Sequence, residues 1–79
     1  MSVEKIRDIL SQHGRLSVEV GSLADDSDLY VAGLTSLATV GLMLALEDQF
    51  NVEFPDSLLS RKTFSSINSI LEAVERIAK

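Results

Sequence analysis

Ser36 stands where chemistry could be built on a serine. It follows Gly33-Leu34-Thr35 and precedes Leu37, where a loop rich in turn formers gives way to a long apolar run. A hydroxyl there can be a nucleophile, a helix cap, or the acceptor of a group attached by another enzyme. Nucleophilic catalysis needs a base within hydrogen-bond reach. The single histidine, His13, closes an earlier helical segment, where it suits the negative helix end. The acids form no evident acid–base pair, and the chain is too short for a substantial closed pocket, so no catalytic residue is assigned. Asp25, Asp26 and Asp28 lack the glycine and distal glutamate of a calcium loop. They read as turn formers, and no metal site is expected.

The acceptor reading has a physical basis. A helix N-terminus presents unpaired N–H groups and partial positive charge, which suit an attached phosphate. A serine at the end of a loop is also open to a modifying enzyme. The competing reading is structural: Ser36, or Thr35, caps the helix and does nothing more.

Three long helical segments position this junction. Residues 2–13 carry Val3, Ile6, Ile9 and Leu10 at helical spacing, with Ser2 available as cap and His13-Gly14 as terminus, Gly14 taking the left-handed position. Residues 14–35 form a long connection with Leu16, Val18, Val20 and Leu23 as apolar pegs and a bend at Gly33; long loops in small domains are usually functional. Residues 36–50 form the second helix, closed by Asn51. At about 100° per residue, Thr39, Leu42, Met43, Leu46 and Phe50 share a core face. Leu37, Val40 and Leu44 form a second apolar stripe opposite, bordered by Glu47 and Asp48. A small domain can hardly bury both faces, so the second stripe is a candidate docking surface, with Glu53 and Asp56 extending its acidic rim.

In residues 51–62, Val52 and Phe54 read as pegs, and Pro55-Asp56 starts a short helix that turns Leu58 and Leu59 inward. Residues 64–78 form the last helix, capped by Ser65 or Ser66, with Ile67, Ile70, Leu71, Val74 and Ile77 as its stripe. The expected fold is all-α: a small four-helix bundle of three long helices and one short, with a long first loop. Residues 1–79 are expected to be a single domain.

Composition narrows the partners. The net charge is −5, and from Leu16 to Ser60 there is no Lys or Arg. Nucleic acid and anionic membrane both call for basic patches, so neither is expected. An acidic face favours partners with positive surfaces. There is no cysteine, hence no disulfide and no thiolate. The charged N-terminal sequence is unlike a signal peptide, and the expected setting is cytoplasmic.

Specific wording adds to this. The run Asp28-Leu29-Tyr30-Val31-Ala32-Gly33-Leu34-Thr35-Ser36-Leu37, the apolar helix to Phe50, and Val52-Glu53-Phe54-Pro55 together resemble the acyl carrier protein family. Family members carry Gly-[Leu/Met]-Asp-Ser-Leu, and the likeness covers most of the chain. The resemblance implies a carrier, not an enzyme, with 4′-phosphopantetheine from coenzyme A attached at Ser36 and cargo held as a thioester. The cofactor would supply the thiol this sequence lacks. Implied partners are a phosphopantetheinyl transferase, an acyl- or amino-acid-activating ligase and downstream acyl-transfer enzymes, acting on a monomer. The chain departs from the pattern at Thr35, usually Asp, and at Ala38 and Gly41, where carriers of fatty-acid synthesis usually have acids. These departures imply a specialised carrier. The stretches Ala24-Asp25-Asp26 and Phe54-Pro55-Asp56, with Leu58-Leu59, Arg61-Lys62 and Phe64, look like small bacterial carriers, some of them charged with amino acids by stand-alone ligases. The alternative from another class is a helical interaction module without a prosthetic group, in which Ser36 is only a cap.

Overall fold

Residues 3–78 are described by the computed structural model. Three α-helices carry the fold: α1 over Val3–His13, α2 over Ser36–Phe50 and α3 over Ile67–Ile77. Short 3-10 turns lie at Val20–Ser22 and Asp56–Leu58, and there is no strand among the described residues. The all-α class is as expected, but the short helical element after Pro55 is a single 3-10 turn and not a fourth α-helix. Asp56 does open a helical turn after Pro55, yet it runs only to Leu58. Neighbours on a 3-10 turn diverge by about 120°, so a single turn cannot aim two successive leucines inward. Leu58 packs partly on the core, whereas Leu59 stays 45% exposed.

Helix α1 is the element against which both α2 and α3 pack. Its Ile6, Ile9 and Leu10 are buried, as the spacing predicts. The predicted cap at Ser2 lies outside the described residues. At the other end the left-handed residue is Arg15, with φ 52°, and not Gly14. The Gly14 amide still donates to the Leu10 carbonyl at 2.7 Å, so the chain turns one residue later than expected. Glycine is needed at 14 for another reason: a Cβ there would lie 2.8 Å from the Leu10 carbonyl oxygen.

The connection from α1 to α2 is held by polar ties more than by its first apolar residues. Leu16, Val20 and Leu23 are only partly buried and Val18 is exposed; the fully buried peg is Leu29, with Ala32 and Leu34 beside it. Arg7 on α1 donates to the Val20 carbonyl at 2.8 Å, to the Leu23 carbonyl at 2.9 Å and to the Asp25 carboxylate at 2.7 Å. The Asp25 carbonyl then accepts the Asn68 amide at 2.9 Å, satisfying a donor in the first turn of α3. Ser66 caps that helix by accepting the Ser69 amide at 3.0 Å, which is why α3 begins at Ile67 and not at 64. Asp28 accepts the Tyr30 amide at 2.9 Å and, at 3.3 Å, that of Val31, closing a local turn. Phe54 and Phe64 meet with ring centroids 5.6 Å apart, joining the segments on either side of the 3-10 turn.

Gly33 ends the connection. Its φ is +112°, and a Cβ at this position would meet the Ser17 amide nitrogen at 2.9 Å. Ser17 itself is bonded by its amide (2.9 Å) and its hydroxyl (2.8 Å) to the Ala32 carbonyl, so it cannot retreat cheaply. Gly33→Ala is therefore expected to destabilise the fold by about 1–3 kcal/mol in chemical denaturation. Gly21→Ala, whose added methyl meets open space, should stay within about 0.5 kcal/mol of the parent.

Candidate functional site

The Gly33 bend delivers Thr35 and Ser36 to the start of α2. Thr35 has extended backbone angles, φ −103° and ψ 164°, and its hydroxyl accepts the Ala38 amide at 3.0 Å. Its carbonyl accepts both the amide and the hydroxyl of Thr39, at 2.9 and 2.7 Å. Thr35 is thus the N-cap, and Ser36 is the first residue of the helix proper. That overturns the reading of Ser36 as merely a cap. The Ser36 side chain is exposed, and its hydroxyl has no hydrogen-bond partner among the described residues.

Helix α2 is apolar nearly all round, and the structure divides its faces. Ala38, Leu42 and Leu46 are buried; Thr39, Met43 and Phe50 are only half-buried. The core face is rotated from the predicted stripe because a wheel weighted by large residues gives no credit to Ala38. The rotation brings Thr39 and Met43 into the wall of a cleft of about 240 Å³ that includes Ser36. Tyr30, Val40, Leu59, Ser60, Arg61 and Phe64 complete its lining. The opposite stripe stands out in solvent, with Leu37 84% exposed, Val40 52% and Leu44 56%.

The predicted acidic rim divides by role. Asp48, Glu53 and Asp56 are exposed. Glu47 is half-buried, and its carboxylate accepts the Phe54 amide at 2.9 Å, so it helps fold the segment after α2. The other end of the stripe is not acidic. His13 and Arg15 line a groove with Thr35, Leu37 and Gly41. Arg15 and Arg61, the two bases that bound the base-free stretch of sequence, therefore flank the first turns of α2 on separate sides. Sequence reading noted the boundary but not the convergence, which depends on two loops far apart in the chain.

The residues present fit a phosphopantetheine arm. An unbonded serine hydroxyl is exposed in the first turn of a 15-residue helix, where N–H groups outnumber acceptors. A cleft with apolar walls and hydroxyls from Thr39 and Ser60 adjoins it. Ser36 would hold the group through a phosphodiester.

Residues 4–74 match the family described as "Phosphopantetheine attachment site". The chain is 51% identical over 72 residues to an aminoacyl carrier protein of Agrobacterium fabrum, covering 91% of this chain and 87% of that one. It is 37% identical to a D-alanyl carrier protein of Streptococcus uberis over 98% of this chain and 96% of that one. Among solved structures it matches, at 49% identity and a TM-score of 0.92, a chain in the crystal structure of an engineered Bradyrhizobium japonicum glycine:[carrier protein] ligase complexed with carrier protein from Agrobacterium tumefaciens and ATP. The match covers 95% of this chain and 97% of that one. On the family match and these relatives, the chain belongs to the phosphopantetheine-bearing carrier proteins, a family that carries acyl groups and does not itself catalyse their transfer.

Proposed function

We propose that this chain acts as a single aminoacyl carrier domain whose 4′-phosphopantetheine is attached at Ser36. The observation that supports this position is the division of labour at the start of α2. Thr35 satisfies the helix end, so the neighbouring hydroxyl is free for modification. When bound, the group supplies a thiol on a flexible arm, on which an amino acid is held as a thioester. The chain's own part is to fix the attachment point on a rigid helix and to present a recognition face beside it.

That face is the Leu37-Val40-Leu44 stripe, with Asp48, Glu53 and Asp56 at its acidic end and a lesser share from the half-buried Glu47. Its partners are a phosphopantetheinyl transferase, an amino-acid-activating ligase and the enzyme that receives the cargo. An amino acid is favoured over a fatty acyl chain by the aminoacyl and D-alanyl carrier relatives and by the match to a chain in a glycine:[carrier protein] ligase complex. Modification from coenzyme A fits a cytoplasmic setting.

Incubation with a phosphopantetheinyl transferase and coenzyme A should add one arm to the intact mass of the parent and none to Ser36→Ala. Thr35→Ala should cost about 1 kcal/mol of stability and still accept the arm, because it removes the cap and leaves the acceptor. An arm on Ser36→Ala would remove that residue from the role.

Leu37→Arg and Leu44→Arg should each keep the parent's circular dichroism and denaturation midpoint, since neither side chain is in the core. Loading of either holo-variant by a glycine:[carrier protein] ligase should fall about tenfold or more in kcat/KM, the loss of one central contact. A collapse of helicity in either variant would show that the stripe is core. Weighing the thioester after incubation with glycine, D-alanine or fatty-acid ligases reads the cargo directly.

A further inference from the structure

Arg61 has no part in the carrier reading above, yet it is the only charged residue lining the Ser36 cleft. Its guanidinium carbon lies 4.0 Å from the centre of the Tyr30 ring. It forms no ion pair among the described residues, where the one salt bridge joins Arg7 to Asp25. The two partners come from distant loops, and each is anchored. Tyr30 follows the fully buried Leu29, and its amide is held by Asp28. Arg61 precedes the turn that buries Phe64, whose amide donates to the Arg61 carbonyl at 3.2 Å.

Stacking occupies the flat face of a guanidinium and leaves its in-plane N–H donors available. Those donors match two oxygens of a phosphate, a geometry lysine cannot reproduce. A stacked arginine is also partly ordered before it binds, so less entropy is lost when it does. No carboxylate lines the cleft to neutralise it, so the exposed Arg61, held over Tyr30, is a cation in the same cleft as Ser36.

We propose that Arg61, positioned by Tyr30, binds the phosphodiester that joins the pantetheine arm to Ser36 and so sets the direction in which the arm leaves the helix. This rests on Ser36 being the attachment site. Without such a contact the phosphodiester would be hydrated and the arm would leave α2 freely in all open directions.

Phosphorus NMR of the holo-protein tests this without recourse to activity. Relative to the parent, Arg61→Gln should shift the phosphodiester resonance and narrow its line, and Tyr30→Leu should move it the same way by releasing the arginine. Arg61→Lys should fall between the two, and Lys62→Gln, a neighbouring base outside the cleft, should leave the signal in place. In the unaltered protein the Arg61 side-chain N–H resonance should move on going from apo to holo, which needs no variant to fold. A phosphodiester signal in fully modified Arg61→Gln that superimposes on the parent's, or an Arg61 N–H that is the same in apo and holo forms, overturns the proposal while the Ser36 assignment stands. A parent whose mass never gains the arm overturns both.

Discussion

The bond from the Ala38 amide to the Thr35 hydroxyl, 3.0 Å long, decides what Ser36 is. A helix start requires one capping oxygen, and either residue has the side chain to provide it. Because Thr35 takes the extended backbone and the bond, Ser36 falls inside the helix, its hydroxyl without a hydrogen-bond partner among the described residues. The arrangement reaches back to Gly33. Only its positive φ, with Ser17 packed against it where a Cβ would be, brings Thr35 to the cap with the correct approach. Ser17 in turn is tied to Ala32, and the loop as a whole is tied through Arg7 to α1 and through Asp25 to α3. One hydroxyl is freed by a chain of polar ties, from side chains as well as backbone, that reaches all three helices.

The second constraint is that α2 exposes leucines it could have buried. Fully burying one leucine contributes about 1.5–3 kcal/mol, against total stabilities of about 5–15 kcal/mol. Leaving Leu37, Val40 and Leu44 in water is thus a substantial forfeit for a chain of 79 residues. Solubility alone would place polar residues there. The stripe begins one residue after Ser36 and continues along the same helix, so a partner docked on it would have an arm carried by Ser36 at hand. Because α1 holds α2 by Ala38, Leu42 and Leu46, this outer face can be altered without disturbing the core.

Much of this was legible in the sequence. The bounds of α2 and the left-handed Asn51 follow from an apolar run between turn formers, and the exposed stripe follows from helical spacing alone. What escaped has specific causes. Ala38 is buried but too small to register on a wheel of large residues. Thr35 and Ser36 are equally good caps in composition, and only backbone geometry separates them. Leu29 was hidden behind an acidic cluster that reads as solvated, although it is the loop's one fully buried side chain. The expected short helix opened by Pro55-Asp56 has its start signal but no continuation, so it stops at Leu58. Tyr30 and Arg61 meet only because two loops fold over the same helix end, and no local pattern encodes that.

The departures from the family pattern gain a physical meaning from this geometry. An aspartate before the serine would cap the helix as threonine does, but it would place a negative charge beside the phosphodiester proposed at Ser36. Two like charges at about 4 Å repel by about 1 kcal/mol in water and by several times that where solvent is excluded. Thr35 gives the cap without the charge, and Ala38 and Gly41 keep the next turns neutral. The acids are held back to the far end of the helix and to the segment that follows. At the near end the charged neighbours are Arg15 in one groove and Arg61 in the other. The helix therefore presents a neutral-to-positive beginning, which suits the anion proposed for Ser36, and a negative end, which suits a basic partner surface. A partner that reads only acids would find half of this face blank; one that carries both signs in the matching order would find its register fixed.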